Sequence, residues 1–138
     1  MAPTSDAPLA LEIIKAEGVY MYDAQGKSYM DLISGIAVSN VGHRNPAVVK
    51  AIKDQVDAYM HLMVYGEYIQ SPQVQLAEAL VKSTGSEHLN QVYFTNSGTE
   101  AVEGAMKLAK RYTGRTEFIS CFNAYHGASQ GALSIAGD

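Results

Sequence analysis

The segment VYFTNSGTEAVEGAMKLAKRYTGR, residues 92–115, constrains the fold of this chain more than any other stretch. An apolar run at 91–95 is typical of a buried parallel strand, and a helical pattern starts after a short polar loop and ends at Gly114. A second apolar run, EFISC at 117–121, follows the helix. A strand, a helix and a strand in this order predict a right-handed crossover unit within a parallel sheet. We therefore expect an α/β fold.

Three short β-type runs lie ahead of this unit, at residues 11–16, 19–22 and 28–32, after a loose arm at 1–8. The last two are separated by DAQG at 23–26, which contains the Asp and Gly that turns favour. The sequence therefore predicts that these two runs form a β-hairpin.

Two helices with the same start signal are predicted after the hairpin. Asn45 is the expected N-cap of the first, because Pro46 follows it at the first helical position. Ser71 is the expected N-cap of the second for the same reason, and Gly85 is the expected end of that helix. The segment ASQGALSIAG at 128–137 is predicted to be the start of a further helix.

The domain boundary is predicted near residue 88. Residues 1–88 would form an N-terminal α+β segment, and residues 89–138 would begin a larger α/β domain. Because two parallel strands cannot cover both of their faces, we expect this second part to need further strands and helices. The chain is therefore expected to be the N-terminal part of a larger protein, or one of two associating pieces.

Charge and composition exclude several classes of function. A net charge of -4 with few arginines leaves no basic stripe for nucleic acid. No run of about 18 apolar residues predicts a membrane span, and no signal peptide is recognisable, so we expect a cytoplasmic protein. A single cysteine excludes a disulfide framework, and the scattered histidines give no metal site. The residues in question are Cys121, His43, His61, His88 and His126.

The loop between strand and helix offers a place for an anion. Ser97, Gly98 and Thr99 lie where a helix N-terminus presents unpaired N–H groups, and a phosphate group suits that position. The same residues also fit a capping box, in which Ser97 caps the helix and Glu100 returns to the Ser97 N–H. These two interpretations are compatible, since capping uses only one or two of the free N–H groups. The motif is neither a Walker P-loop nor a G-x-G-x-x-G turn.

A second loop carries an aromatic side chain and an imidazole. Tyr125, His126 and Gly127 follow the predicted strand that ends near Cys121, so they belong to the same edge of the predicted sheet. A flat ligand with a phosphate tail could use the first loop for its phosphate and Tyr125 for its ring. The alternative is a surface tyrosine beside a solvated histidine.

Three motifs, taken in order, resemble a known family. YDAQGKSYMDLISGIAVSNVGHRNPAVVKAI, FTNSGTEAVEGAMKLAKRYTGR and FNAYHG are similar to the N-terminal portion of the class III aminotransferases, which depend on pyridoxal phosphate. The likeness runs from about residue 12 to the last residue. It implies a fold-type I pyridoxal-phosphate transferase, represented here by its N-terminal α+β segment and the first strands and helices of its large domain.

The resemblance implies a role for five residues of the two loops. Ser97, Gly98 and Thr99 match the positions that hydrogen-bond the cofactor phosphate. Tyr125 matches the aromatic residue that stacks on the pyridine ring, and His126 matches the residue that follows it.

The resemblance gives weaker indications for other residues. The segment GIAVSNVGH at 35–43 resembles a stretch near the substrate entrance, so Ser39 and Asn40 are substrate-binding candidates. Glu103 matches a frequent acidic position, but an ion pair with Lys107, four residues on, explains it equally well. Glu103 is therefore not among the predicted site residues.

The implied reaction is the transfer of an amino group from a donor to a 2-oxo acid. It needs a lysine that forms the resting Schiff base, and the resemblance places that lysine beyond residue 138. This chain alone is therefore expected to be inactive, because none of its lysines lies on a predicted loop at the carboxyl edge of the sheet. They are Lys15, Lys27, Lys50, Lys53, Lys82, Lys107 and Lys110.

Other functions stay open at this point. An aminomutase with the same cofactor shares much of the pattern, and a non-catalytic module that binds a phosphate ligand would need no lysine chemistry. Hydrolysis through Cys121 is poorly supported, because that residue lies in a predicted strand and no G-x-S-x-G elbow is present. The resemblance also implies a homodimer, for which Tyr65 and Tyr68 are interface candidates unless they lie within one subunit. The sequence does not identify the amino donor.

Overall fold

The computed structural model describes residues 5–63 and 66–137. Tyr65 and residues 1–4 of the predicted arm lie outside the described residues. The chain divides into two compact units, Met1–Tyr68 and Ile69–Asp138. The domain boundary near residue 88 stays a prediction. The elements in chain order are β1 (Ile13–Glu17), β2 (Tyr20–Asp23), β3 (Ser28–Met30), α1 (Ser34–Ala37), α2 (Pro46–Ala58), α3 (Ser71–Thr84), α4 (Gly98–Thr113) and α5 (Gln130–Ser134).

The first unit contains an antiparallel sheet in the order β1-β2-β3. The predicted hairpin is confirmed, since β2 pairs with β3 in an antiparallel register that joins Tyr20 to Met30. Asp23 fixes the turn, because its Oδ1 accepts hydrogen bonds from the N–H groups of Gln25 at 3.0 Å and Lys27 at 2.9 Å. Asp23 is only 7% exposed, and these hydrogen bonds satisfy its Oδ1 atom. They stabilise the turn.

Helix α2 starts as predicted. The Asn45 side chain accepts hydrogen bonds from the N–H groups of Ala47 at 3.0 Å and Val48 at 3.5 Å, and Pro46 occupies the first helical position. These bonds satisfy two of the N–H groups that the helix start leaves without an internal partner, and Pro46 has no N–H to satisfy. The prediction of Asn45 as N-cap is confirmed.

Helix α3 starts one residue earlier than predicted. Gln70, in an extended conformation, is the N-cap, and Ser71 is already the first helical residue. Ser71 as N-cap is therefore wrong. The reason is that a proline is accepted anywhere in a first turn, where its missing N–H costs no internal hydrogen bond, so Pro72 does not fix the cap to its direct neighbour. Gly85 ends the helix as predicted, with a left-handed φ of 62°.

The two parallel strands predicted at 91–95 and 117–121 are not formed. Within the described part of the chain, neither segment has strand structure, and Cys121 is exposed. A strand exists through its hydrogen bonds to neighbouring strands, and the described residues supply no neighbour for either run. The helix between them, α4, is formed, because its hydrogen bonds lie within one segment.

Helix α5 begins within 128–137, where the start of a further helix was predicted, but it is a single short turn that ends at Ser134. Few side chains are buried in either unit; Ala132 on this helix is buried completely. Many large apolar side chains are exposed, among them those of Tyr93 and Ile119 in the two predicted strands. Within the described residues, no helix is long and apolar enough to cross a membrane.

Candidate functional site

The start of α4 is built by reciprocal capping. The Ser97 hydroxyl oxygen accepts a hydrogen bond from the Glu100 N–H at 3.1 Å. The Glu100 carboxylate accepts from the Asn96 N–H at 2.8 Å, one residue before the Ser97 N–H that the sequence predicted. With Ser97 extended at φ -156° and ψ 162°, the Asn96 N–H is the group that Glu100 reaches. The capping interpretation is thus confirmed with a shift of one residue at its acidic partner.

The N–H groups of Gly98, Thr99 and Glu100 have no carbonyl before them within the helix, as in the first turn of any helix. The Ser97 hydroxyl oxygen accepts from the Glu100 N–H, which leaves the N–H groups of Gly98 and Thr99 as the candidate donors to a ligand. A side chain added at Gly98 would meet open space, so this part of the loop is accessible to a ligand. The N–H groups and the positive end of the helix dipole together suit an anion.

The second predicted loop lies directly against α4. Gly127 is buried and has a φ of 133°, which favours glycine. A Cβ at this position would overlap the Thr99 hydroxyl and methyl groups. The structure therefore brings Gly127 to Thr99, and the two predicted loops together. Tyr125 is 78% exposed and His126 is partly exposed, so the Tyr125 ring is available to a ligand.

Glu103 is a residue of this region whose contacts the sequence did not predict. Its carboxylate accepts hydrogen bonds from the Ser129 hydroxyl and from the Ala132 N–H, the latter at 3.0 Å. The Ser129 hydroxyl first, and the Ala132 N–H second, hold the pKa of Glu103 below its usual value. The alternative explanation of Glu103, an ion pair with Lys107, is not among the ion pairs of the described residues. One sequence signal could have indicated this contact: Ser129 lies at the start of a predicted helix, where N–H groups need hydrogen-bond acceptors.

The remaining site candidates, Ser39 and Asn40, lie in the first unit, in the loop that follows α1. This loop is tied at its ends by Asp31 and His43. Asp31 accepts from the Ser34 N–H at 2.8 Å, and the His43 Nε2 lies 2.7 Å from the other Asp31 oxygen. The Ser34 N–H and, after it, the His43 side chain lower the pKa of Asp31.

The backbone of the same loop is unusual. The four residues of α1 have positive φ values, from 51° at Ser34 to 63° at Ala37, so they form a left-handed turn. The loop returns to β1 and β2 through a paired contact, in which His43 donates to the Gly18 carbonyl at 2.7 Å and accepts from the Gly18 N–H at 3.0 Å. Ser39 and Asn40 are thus held in a loop that is closed at its base.

Comparison with solved structures defines the fold. The chain superposes on a taurine:2-oxoglutarate aminotransferase from Bifidobacterium kashiwanohense, solved in complex with PLP and glutamate, with a TM-score of 0.87 and 37% identity. This match covers 100% of the chain and 31% of that structure. An adenosylmethionine-8-amino-7-oxononanoate aminotransferase from Methanocaldococcus jannaschii gives a TM-score of 0.90 at 35% identity, with 99% of the chain and 33% of the structure covered. The predicted fold class, fold type I, is confirmed.

Sequence comparison defines the family. Acetylornithine aminotransferase from Archaeoglobus fulgidus is 43% identical over 123 residues, which is 89% of this chain and 32% of that relative. The family model for class-III aminotransferases matches residues 1–138. The chain therefore belongs to the class III aminotransferase family, and the predicted resemblance is confirmed. It spans about one third of the length of the curated relatives it matches.

Proposed function

We propose that this chain is the part of a class III transaminase that holds the phosphate and one ring face of pyridoxal phosphate. The whole enzyme would move an amino group from an amino donor to a 2-oxo acid. The observation that carries this proposal is the contact between Gly127 and Thr99, which joins an aromatic loop to a helix N-terminus in a chain of this family.

The start of α4 fits a phosphate group. The N–H groups of Gly98 and Thr99 would donate to phosphate oxygens, and the open space at Gly98 lets the phosphate approach the backbone. Ser97 already uses its oxygen to accept from Glu100, so its hydroxyl hydrogen is the group that would donate to the phosphate. Capping and phosphate binding are therefore compatible at this serine.

The second loop fits the ring. The exposed aromatic face of Tyr125 would stack on a pyridine ring, and His126, which is less exposed, would support this loop next to the ring. Once bound, pyridoxal phosphate supplies an electron sink for the substrate carbanion. The contribution of these residues is to fix the position of the ring and to limit its contact with water.

The rest of the site belongs to regions outside these residues. Because the chain spans about one third of its relatives, we place the lysine that binds the cofactor beyond residue 138. The exposed apolar side chains of the two unpaired runs, such as Tyr93 and Ile119, support the same view, since further strands would cover them.

Ser39 and Asn40 are proposed to line the substrate entrance. The homodimer and the cytoplasmic location also stay proposals, and light scattering of the complete protein tests the first.

The test is to add pyridoxal phosphate to the complete protein, reduce it with borohydride and locate the trapped cofactor by mass spectrometry. We expect one stoichiometric adduct, on a lysine outside these 138 residues. An adduct on one of the seven lysines of this chain would contradict the proposed place of the catalytic lysine. No adduct, together with a cofactor spectrum that ignores added amino donor, would indicate a module that binds a phosphate ligand without this chemistry.

A further inference from the structure

Two pairs of residues with matching spacing connect α4 to the loop that carries Tyr125. On α4, Thr99 and Glu103 are four residues apart, so they lie on one face of the helix. Gly127 and Gly131 are also four residues apart. A Cβ at Gly127 would overlap Thr99, and a Cβ at Gly131 would overlap the Glu103 carboxylate. The loop and the start of α5 therefore follow this face of α4 at close range.

The Glu103 carboxylate supplies the polar part of this contact. It accepts from the Ser129 hydroxyl and the Ala132 N–H, and Ala132 is completely buried. Ser129 is the N-cap residue of α5, but its hydroxyl bonds Glu103 and makes no hydrogen bond to its own helix. Glu103 thus takes the place of the usual side-chain cap and satisfies donors that would otherwise lack a partner.

We propose that Glu103 is a positioning residue for cofactor binding, which holds the loop at Tyr125–Gly127 against α4 and so fixes the distance between the aromatic ring and the phosphate-binding turn. This inference rests on the proposed function. Glu103 would affect the cofactor only indirectly, because its hydrogen bonds are with Ser129 and Ala132. Glu103 would act by holding the start of α5, which follows the loop at Tyr125–Gly127.

The test compares Glu103→Ala with Glu78→Ala in the complete enzyme. Glu78 is an exposed glutamate on α3 and serves as the matched control. We expect Glu103→Ala to weaken cofactor binding on the order of tenfold, because it leaves the Ser129 and Ala132 donors without their partner. The circular dichroism band of the bound cofactor should change as well, since this band reports the orientation of the ring. Glu78→Ala should leave both values unchanged.

A second measurement does not depend on the cofactor. Amide hydrogen exchange of the cofactor-free protein should become faster at Ala132 in Glu103→Ala, because this N–H loses its acceptor. Ser129→Ala should have a smaller effect in the same direction. The double variant, Glu103→Ala with Ser129→Ala, should lose less cofactor affinity than the sum of the losses in the two single variants, since both changes remove the same contact.

Glu103→Gln keeps the shape of the side chain and one acceptor oxygen, so it should lose less cofactor affinity than Glu103→Ala. It replaces Glu103→Ala in the test if that variant does not fold. The inference is overturned if the Glu103 variants change only the melting temperature while cofactor affinity and circular dichroism match those of Glu78→Ala. If the unmodified enzyme itself binds no cofactor, the proposed function fails, and this inference fails with it.

Discussion

The two units of the chain use different means to hold their polar groups. In the first unit, β2 pairs with both β1 and β3, and the loop after α1 is closed by Asp31, His43 and Gly18. In the second unit, helix α4 is complete, but the runs on either side of it have no sheet to join within the described residues. The candidate cofactor site lies in the second unit. Its geometry therefore depends on contacts to α4 rather than on a strand ladder.

This difference indicates where a substitution should affect cofactor binding. A change to the sheet or the closed loop of the first unit should alter local stability and leave the proposed phosphate-binding turn intact. A change on the face of α4 that carries Thr99 and Glu103 should alter the site itself. The following substitutions, made in the complete enzyme, test this separation in order of decreasing effect.

Gly127→Ala should have the largest effect. The new methyl group would overlap Thr99, and the φ of 133° is unfavourable for alanine. Overpacking of this kind should weaken cofactor binding by roughly a hundredfold, as cofactor titration would show. Gly114→Ala is the control, because Gly114 also has a positive φ, of 70°, but has open space around it. Equal losses in both variants would refute the role given to the contact with Thr99.

Ser97→Ala should have the next largest effect, and Asn45→Ala in the first unit is its counterpart. Both substitutions remove a side chain that caps a helix, so each should cost about 1 kcal/mol of helix stability. Only Ser97→Ala should also weaken cofactor binding, on the order of tenfold, because it removes the proposed donor to the phosphate. Titration and thermal melting of both variants separate the two effects. A similar loss of affinity in Asn45→Ala would contradict the assignment of the phosphate to α4.

Acid should weaken the first unit through Asp31. Its hydrogen bonds to the Ser34 N–H and to His43 lower its pKa in the folded state, so the carboxylate form stabilises the fold. This contribution is complete above the ordinary pKa of an aspartate, about 4, and is lost as the pH falls through the lower folded value. Hydrogen exchange at Gly18 and His43 should therefore accelerate in acid, beyond the intrinsic change in exchange. Asp31→Asn should exchange faster already at neutral pH, with less further dependence on acid.

Lys107→Met should have the smallest effect. Glu103 has its contacts with Ser129 and Ala132, so removing the lysine four residues on should change cofactor affinity by less than about twofold. Titration beside Glu103→Ala gives the comparison. A loss equal to that of Glu103→Ala would restore the surface ion pair as the explanation of Glu103.

Signals that lie within a few residues of each other predicted much of the fold. The hairpin turn at Asp23, the cap at Asn45 and the ends of helices at Gly85 and Gly114 were all predicted and are present. Each depends on the conformation or hydrogen bonds of a short segment, so the neighbouring residues are sufficient to specify it.

The predictions that were wrong or missing concern features whose partner lies far along the chain, or whose sequence signal fits more than one position. Neither run beside α4 forms a strand, because strand structure depends on partners that the described residues do not contain. The contact of Glu103 with Ser129 spans 26 positions of the chain, and no helical or strand period connects them. The cap of α3 was misplaced by one residue, since Pro72 is compatible with more than one start.

A crystal structure of the complete enzyme with pyridoxal phosphate bound would test the proposed cofactor site directly. We expect the N–H groups of Gly98 and Thr99 and the Ser97 hydroxyl to lie within hydrogen-bond distance of the phosphate, with the Tyr125 ring stacked on the pyridine. A phosphate bound elsewhere, with these groups facing solvent, would contradict the proposed site.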